Sequence, residues 1–247
     1  MGTPETNKKT KWRLGPVRTT IFVIFFLIFL VSAGVLIKGS MQTQKVQNDF
    51  AQLTVSGGYD LAALQEKNKD IIGWLQIKDT KINYPVMQTK SVPEYYLRRN
   101  FQKENSLAGT PFLDATSDID LPTLNWTIYG HNMKSGTMFH DLLKYADKDF
   151  YESHKTFTFD TINVPGTYEI VAIYYTQIYT SEYEGFKYYQ YNNITSQATL
   201  RAFIAGSKAL SLYNTGVTVE KEQVLTLSTC AYQVKDGRFV VVAKKIN

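Results

Sequence analysis

The longest uncharged apolar segment of this chain is IFVIFFLIFLVSAGVLI, from Ile21 to Ile37. With the two threonines before it, it reaches about the 20 residues that a helix needs to cross a bilayer. Basic residues precede it, and the positive-inside rule then places the N-terminus in the cytoplasm and everything after Lys38 outside. A cleaved signal peptide is the alternative, but the segment exceeds an h-region of about 7–15 residues and no clear small-x-small site follows. We therefore predict a cytoplasmic tail (residues 1–20) and a transmembrane signal anchor (residues 21–37) of a single-pass membrane protein.

The net charge of +5 is concentrated before this segment. Residues 1–20 contain one acidic residue, Glu5, and five basic ones: Lys8, Lys9, Lys11, Arg13 and Arg18. They contribute +4, which is five minus one, so the rest of the chain is nearly neutral. Because nucleic-acid binding needs a basic face on the folded domain, we expect no nucleic-acid partner.

The polar stretch after the apolar segment predicts a spacer. Residues 38–58 have few large apolar side chains before Phe50 and end in Gly-Gly, which is typical of a stalk, partly helical, between membrane and domain. Globular sequence begins at Tyr59, so residues 59–247 are the predicted extracytoplasmic domain.

The domain is predicted to open with a short helix and to continue as β-structure. Leu61, Leu64 and Ile71 have nearly helical spacing, and the chain then turns through Gly73 into a strand-like WLQI. Seven further short β-like segments follow: KINYPVMQ, GTPFLDA, NWTIYG, KTFTFDT, GTYEIVAIYYTQIYT, QVLTLSTC and GRFVVVAKK. Strands without regular strand–helix alternation favour a barrel or sandwich over a βαβ sheet.

Two helical segments interrupt the predicted strands. GTMFHDLLKYAD is one, and TSQATLRAFIAGSKALSL, which Thr195 or Ser196 can cap, is the other. The second lies between the long tyrosine-rich strand and QVLTLSTC, so it is an insert before the last two strands.

Cys230 is the only cysteine of the chain. An odd cysteine in an exported protein indicates intermolecular pairing or a free reactive thiol. In VLTLSTCAY the alternation of a strand puts Ser228 and Cys230 on one face. The alternative is a structural cysteine, since free cysteines are often buried as small hydrophobic residues.

Two other residues are candidates for acting on Cys230. His131 follows the strand-like NWTIYG, at a strand-to-loop junction of the kind that displays catalytic groups, whereas His140 and His154 are interpreted as surface residues. Arg238 opens the strand after an Asp-Gly turn, and the short loop between the strands predicts antiparallel neighbours with Arg238 close to Cys230. A structural histidine and a solvated arginine remain the alternatives.

No Asp or Glu of the sequence stands out as the orienting third member of a triad. Its three histidines and one cysteine lack the spacing of a zinc site, and there is no glycine-rich phosphate loop. We therefore expect neither a metal nor another cofactor.

In combination, these motifs resemble the sortases, the cysteine transpeptidases of Gram-positive cell surfaces. The resemblance rests on TLSTC at a strand end, YGHNM before it and an arginine after it, behind a signal anchor. Within the family, DIIGWLQIKDTKINYPVMQ, EYYLRRNFQKENSLAGTPFLDA, YGHNMKSGTMFHDLLKY and the helix-bearing insert are similar to class B. The resemblance implies a closed β-barrel of about eight strands, with an N-terminal helix and a helix-bearing insert before the cysteine strand.

The resemblance also implies catalytic roles. Cys230 matches the nucleophile, His131 the acid and base, and Arg238 the arginine that stabilises substrate and oxyanion. The backbone N–H of Ala231 is expected to contribute to the oxyanion hole.

Three further residues are implied to line the substrate groove. Ser228 matches a hydroxyl of the groove, and Tyr188 in the insert matches an aromatic residue there, with Tyr189 and Tyr191 as neighbouring alternatives. Leu97 is expected to form part of the wall.

The implied reaction cleaves a C-terminal sorting signal of the LPxTG or NPxTN kind after Thr, through a thioacyl-enzyme. The secreted protein is then transferred to an amine of peptidoglycan or of its lipid-linked precursor, at a cell membrane where the catalytic domain faces the wall. A pilus-polymerising sortase with a pilin lysine as acceptor is one alternative. A papain-like peptidase would need a helix starting at Cys230, and a non-catalytic, membrane-anchored binding module is the alternative from another class.

Overall fold

The computed structural model describes residues 15–54, 58–121 and 123–247. The eight strands are β1 Ile71–Gln76, β2 Asn83–Met87, β3 Phe112–Leu113, β4 Asn125–Tyr129, β5 Thr156–Thr161, β6 Thr167–Gln177, β7 Val224–Cys230 and β8 Gly237–Lys245. The α-helices are α1 Pro16–Ala51, α2 Leu61–Lys67, α3 Lys148–Ser153 and α4 Gln197–Leu210. Three 3₁₀ helices lie at Tyr95–Arg98, Phe139–Ala146 and Tyr188–Gln190.

The strands form a closed barrel in the order β1-β2-β3-β4-β7-β8-β6-β5. Two pairs are parallel, β2 with β3 and β4 with β7, and the remaining pairs are antiparallel. The predicted barrel of about eight strands, with a helix-bearing insert before the cysteine strand, is confirmed.

The two faces of β7 and β8 pack in different hydrophobic clusters. Leu225 and Leu227 belong to the main core with Trp74, whereas Val224 and Val240 pack with the insert. The insert contributes Leu200, Phe203 and Ile204 from the apolar stripe of α4, and Ser196 caps that helix by accepting from Thr199 N at 3.1 Å. The face of β7 that carries Ser228 and Cys230 is therefore the outer face, beneath the insert.

Helix α1 is long and apolar enough to cross a membrane. It has 36 residues, and its most apolar 18-residue window has a mean hydropathy of 3.0. The helix includes the predicted anchor and continues through much of the predicted stalk. Most of the predicted cytoplasmic tail, residues 1–14, lies outside the described residues.

The folded unit begins before the predicted boundary at Tyr59. The chain divides into two compact units, one ending at Lys45 and the other extending over Val46–Asn247. Phe50 and Leu53 are buried in the main core, and the Phe50 ring centroid lies 5.0 Å from that of Tyr84. Phe50 and Leu53 of the predicted stalk are thus part of the domain, because their side chains pack in its core.

The first helix of the domain ends earlier, and the first strand begins earlier, than the spacing predicts. Asp60 caps α2 by accepting from Ala63 N at 3.0 Å, and the helix ends at Lys67, so Ile71 begins β1 rather than ending the helix. Gly73 lies within β1 instead of at a turn. A Cβ at this position would lie 2.4 Å from Asp160 O, so the close approach of β5 to β1 requires glycine.

Candidate active site

Cys230 and Arg238 face each other across the β7–β8 ladder. They are Cα partners at the end of an antiparallel register that starts at Val224 and Lys244. Opposite residues of an antiparallel pair put their side chains on the same face of the sheet. The free thiol of Cys230 and the guanidinium of Arg238, both half-buried, therefore share the outer face of the barrel.

His131 reaches the same end of the sheet because β4 and β7 are parallel. Their register runs from Asn125 opposite Val224 to Tyr129 opposite Ser228, so both strands end at one edge. Past the ladder, Gly130 N donates to Ser228 O at 3.1 Å and the Thr229 hydroxyl donates to Gly130 O at 2.7 Å. His131 follows directly and is thus placed beside the cysteine end of β7.

The tautomer of His131 follows from its partner. Its Nε2 lies 2.9 Å from Leu97 O, and a carbonyl oxygen only accepts, so Nε2 carries a hydrogen. In the neutral ring the lone pair is then on Nδ1. Burial holds the pKa of His131 below its ordinary value, and the positive charge of Arg98 lowers it further, while the bond to Leu97 O acts in the opposite direction.

Arg238 has no carboxylate partner in the part of the chain that the structure describes. One guanidinium nitrogen donates to Gly237 O at 3.0 Å and to Asp236 O at 3.2 Å. These carbonyls engage one of the three nitrogens, and the others retain N–H donors in a planar fork. The charge of Arg238 is therefore not neutralised by an ion pair before a substrate binds.

The backbone N–H of Ala231 has a different partner from the one expected. It donates to Gly237 O at 2.9 Å across the turn between β7 and β8. The same approach is so close that a Cβ on Gly237 would lie 2.2 Å from Ala231 O. In this conformation the hydrogen of Ala231 N is used by the turn, and a contribution of this N–H to an oxyanion hole stays a prediction.

Ser228 and Tyr188 form a buried pair. Their hydroxyl oxygens lie 2.7 Å apart, and each residue is 1% exposed. Burial raises the pKa of Tyr188 to about 12, with the Arg238 charge lowering it and Cys230 raising it, so the phenol lies within electrostatic reach of both. Both hydroxyls are therefore buried against each other in this structure, with Tyr188 held in the 3₁₀ helix of the insert, and their role in lining the substrate groove stays a prediction.

Leu97 is the third residue expected in the groove. Its side chain is half-buried, and its backbone carbonyl contacts His131. Tyr189, the alternative to Tyr188, packs edge-on against the Tyr188 ring at 5.4 Å between centroids, and its hydroxyl donates to Tyr179 O.

Two residues near the site were missed by sequence reasoning. Arg98 influences His131 electrostatically, and Asn132 donates to Cys230 O at 2.9 Å. Asn132 directly follows His131 in YGHNM, so its position next to a candidate catalytic residue could have indicated it. Arg98 acts through the electrostatic effect of its charge on His131, which no local pattern predicts. Among the described residues, no group of three His, Cys, Asp or Glu side chains has the arrangement of a metal site.

A thiol, an imidazole with a free lone pair and an unpaired guanidinium thus converge at one end of β4, β7 and β8. This combination is suited to acyl transfer through a thioester, because it supplies a nucleophile, a proton carrier and an oxyanion donor. The sequence model of the family described as "Sortase domain" matches residues 75–246. The chain belongs to the sortase family.

Known sortases of class B resemble this sortase over most of its length. Sortase B of Listeria monocytogenes serovar 1/2a is 37% identical over 203 residues, which are 80% of this chain and 79% of the relative. The crystal structure of sortase B from B. anthracis in complex with AAEK1 has a TM-score of 0.68 and 33% identity, covering 83% of this chain and 94% of the other. The Staphylococcus aureus sortase B–substrate complex has a TM-score of 0.66 and 30% identity, covering 87% and 94% respectively.

The predicted membership in class B is therefore confirmed. Since sortases are cysteine transpeptidases, this sortase is an enzyme of that kind.

Proposed function

We propose that this sortase cleaves a C-terminal sorting signal of the LPxTG or NPxTN kind after Thr and transfers the protein to a peptidoglycan amine. The observation that carries the proposal is the cross-strand pairing of Cys230 with Arg238 at the edge where β4 delivers His131. A solved relative, the sortase B of Staphylococcus aureus, is in complex with a substrate, which supports a substrate-binding surface in this fold.

The first half-reaction forms the thioacyl-enzyme. The Cys230 thiolate attacks the Thr carbonyl carbon, and the tetrahedral oxyanion accepts hydrogen bonds from the Arg238 guanidinium. Because Nε2–H of His131 is held by Leu97 O, the proton that leaves is the one on Nδ1. It passes to the amine of the departing residue as the C–N bond breaks, which leaves a thioester and a neutral imidazole.

The second half-reaction reverses these roles. An acceptor amine attacks the thioester carbonyl and gives a proton to Nδ1 of His131, and the C–S bond breaks to release the thiolate. The atoms and charges then return to the starting state, thiolate and imidazolium. Since the pKa of His131 is held low, the imidazolium is a minor species at neutral pH, and we expect slow turnover.

We also propose that α1 anchors the enzyme in the cell membrane through residues 21–37, with the N-terminus in the cytoplasm and the catalytic domain facing the wall. The length and hydropathy of α1 support this topology, and the basic residues before the apolar segment favour the orientation. Full-length protein is expected in the membrane fraction, with the domain open to protease added outside the cell. A shorter chain found only in the medium would instead indicate a cleaved signal peptide.

The catalytic proposal is tested with Val46–Asn247 and internally quenched peptides that carry either sorting motif. Wild type is expected to cleave one of them after Thr, and mass spectrometry with added oligoglycine, diaminopimelate or lysine peptides identifies the acceptor. Cys230→Ala and His131→Ala are expected to abolish turnover, while Arg201→Ala, a change on the exposed side of α4, is expected to leave it unchanged. Cleavage that persists in Cys230→Ala would contradict the proposal, and preference for a lysine acceptor would favour pilus polymerisation.

A further inference from the structure

Asn132 makes four contacts, of which two join the histidine segment to the cysteine segment and two hold it within its own segment. Its Nδ2 donates to Cys230 O at 2.9 Å, and its Oδ1 lies 2.8 Å from His140 Nδ1. Its backbone carbonyl accepts from the Tyr232 hydroxyl at 2.9 Å, and its main chain forms an isolated antiparallel bridge with Met138. The residue is buried, with 6% of its surface exposed.

The orientation of the Asn132 amide is determined by its partners. Cys230 O can only accept, so the amide nitrogen must face it and the amide oxygen must face His140. His140 Nδ1 therefore carries a hydrogen and donates it. The donor is present in both the neutral and the protonated ring, so this contact does not depend on the charge of His140.

These contacts hold the chain on both sides of Ala231. The Cys230 carbonyl is fixed by the side chain of Asn132, and the Tyr232 hydroxyl by its main chain, while Ala231 N is fixed by Gly237 O. The β4–β7 ladder ends at Tyr129 and Ser228, before either candidate catalytic residue. Asn132 thus continues the connection between the two strands beyond the point where regular pairing stops.

We propose that Asn132 and His140 are positioning residues for the Cys230–His131 pair: Asn132 sets the separation of the two segments, and His140 orients the Asn132 amide. The inference rests on the proposed function of Cys230 and His131. A displacement of about 1 Å between reacting groups can reduce a rate about 100-fold, so a single buried amide at this position has a large effect on turnover.

The chain offers a matched control at the opposite end of the same strand pair. Gln223, just before β7, donates from its side-chain amide to Thr123 O, just before β4, at 2.8 Å. Gln223→Ala and Asn132→Ala each remove one amide-to-carbonyl hydrogen bond between the β4 and β7 segments. Asn132→Ala also removes the acceptor of His140 Nδ1, a loss that His140→Ala reproduces alone. Gln223 lies at the far end of the strand pair, so the three variants together separate positioning from general stabilisation of the sheet.

The experiment measures kcat, KM and melting temperature for peptide cleavage by Val46–Asn247, and the rate of Cys230 alkylation by iodoacetamide. Asn132→Ala is expected to lower kcat by about 10- to 100-fold with KM within about twofold of wild type. The alkylation rate should fall in parallel, and Gln223→Ala should change neither. His140→Ala is expected to lower kcat by a smaller factor. His140→Asn, which keeps an N–H close to the position of Nδ1, should restore it.

Equal kcat in Asn132→Ala and Gln223→Ala would overturn the inference, as would an additive effect of His140→Ala in the Asn132→Ala background. Should Asn132→Ala fail to fold, the contrast between His140→Ala and His140→Asn decides, and equal losses in both would refute the role of His140. A wild-type enzyme that cleaves no sorting peptide would contradict the proposed function instead. Alkylation of the single cysteine would then still show whether Asn132 controls its environment.

Discussion

Cys230 and Arg238 are the final pair of the β7–β8 ladder, opposite each other and on the same face of the sheet. The pairing follows from an antiparallel register that continues without a bulge along β7, so the relative position of thiol and guanidinium is fixed by backbone hydrogen bonds. This is a rigid way to place a charge beside a nucleophile, because neither side chain has to be held by a flexible loop.

The planar fork of N–H donors on the Arg238 guanidinium predicts that a positive charge at this position is not sufficient for full catalytic activity. Arg238→Lys keeps the charge but loses the planar set of donors, and we expect kcat/KM to fall by about 100-fold, as when an oxyanion donor is removed. Arg201→Lys on α4 is the matched control and should have no effect. Peptide cleavage at substrate concentrations far below KM measures both, and a near-wild-type value for Arg238→Lys would show that Arg238 is only a surface charge.

The hydroxyl pair of Tyr188 and Ser228 predicts that removing both hydroxyls destabilises the fold less than the two single removals added together. Tyr188→Phe and Ser228→Ala each leave a buried hydroxyl without its partner, at an expected cost of about 1–3 kcal/mol in the free energy of unfolding. The double variant removes both groups and should be less destabilised than the sum. Urea unfolding of wild type, the two single variants and the double variant measures these free energies of unfolding.

The same three variants also distinguish a buried pair from a groove wall. If the pair stays sealed behind the site, KM for the sorting peptide should change little in any of them. A large rise in KM would mean that the insert opens and that these hydroxyls contact substrate.

The environment of His131 predicts the direction of a titration shift. Arg98 disfavours the imidazolium by like charge, so Arg98→Gln should raise the pKa of His131 towards its ordinary value. NMR titration of the His131 ring in the Val46–Asn247 fragment follows this directly, with Arg201→Gln as the control. A pKa that stays the same, or falls, in Arg98→Gln would show that Arg98 does not act on His131.

The buried end of α1 predicts where a stable soluble fragment begins. Phe50 is 6% exposed, and Phe50→Ala should cost about 3–5 kcal/mol in unfolding free energy, because it leaves a cavity against Tyr84. A fragment starting at Tyr59 should be destabilised at least as much relative to one starting at Val46. Gln52→Ala, on an exposed neighbour, is the control, and equal melting temperatures for the two fragments would contradict the packing.

The sequence was sufficient wherever the structure depends on short-range patterns. Alternation in VLTLSTC predicted that Ser228 and Cys230 share a face, and the short loop predicted that Arg238 lies on the neighbouring strand. The cap at Ser196 and the apolar stripe of α4 were likewise predictable. In each case the feature depends on strand or helix periodicity or on turn length, which involve only a few neighbouring residues, so a short stretch of sequence is enough to predict it.

The tertiary structure decided what depends on partners far apart in the chain. The parallel pairing of β4 with β7 brings His131 and Asn132 to the cysteine, the insert buries Ser228 under Tyr188, and Gly237 takes the N–H of Ala231. Phe50 and Leu53, from the polar segment predicted to be a stalk, join the core for the same reason. Whether a group is exposed, buried or already hydrogen-bonded depends on the residues that pack against it. Those residues lie far away in the sequence and are brought to it only when the barrel closes.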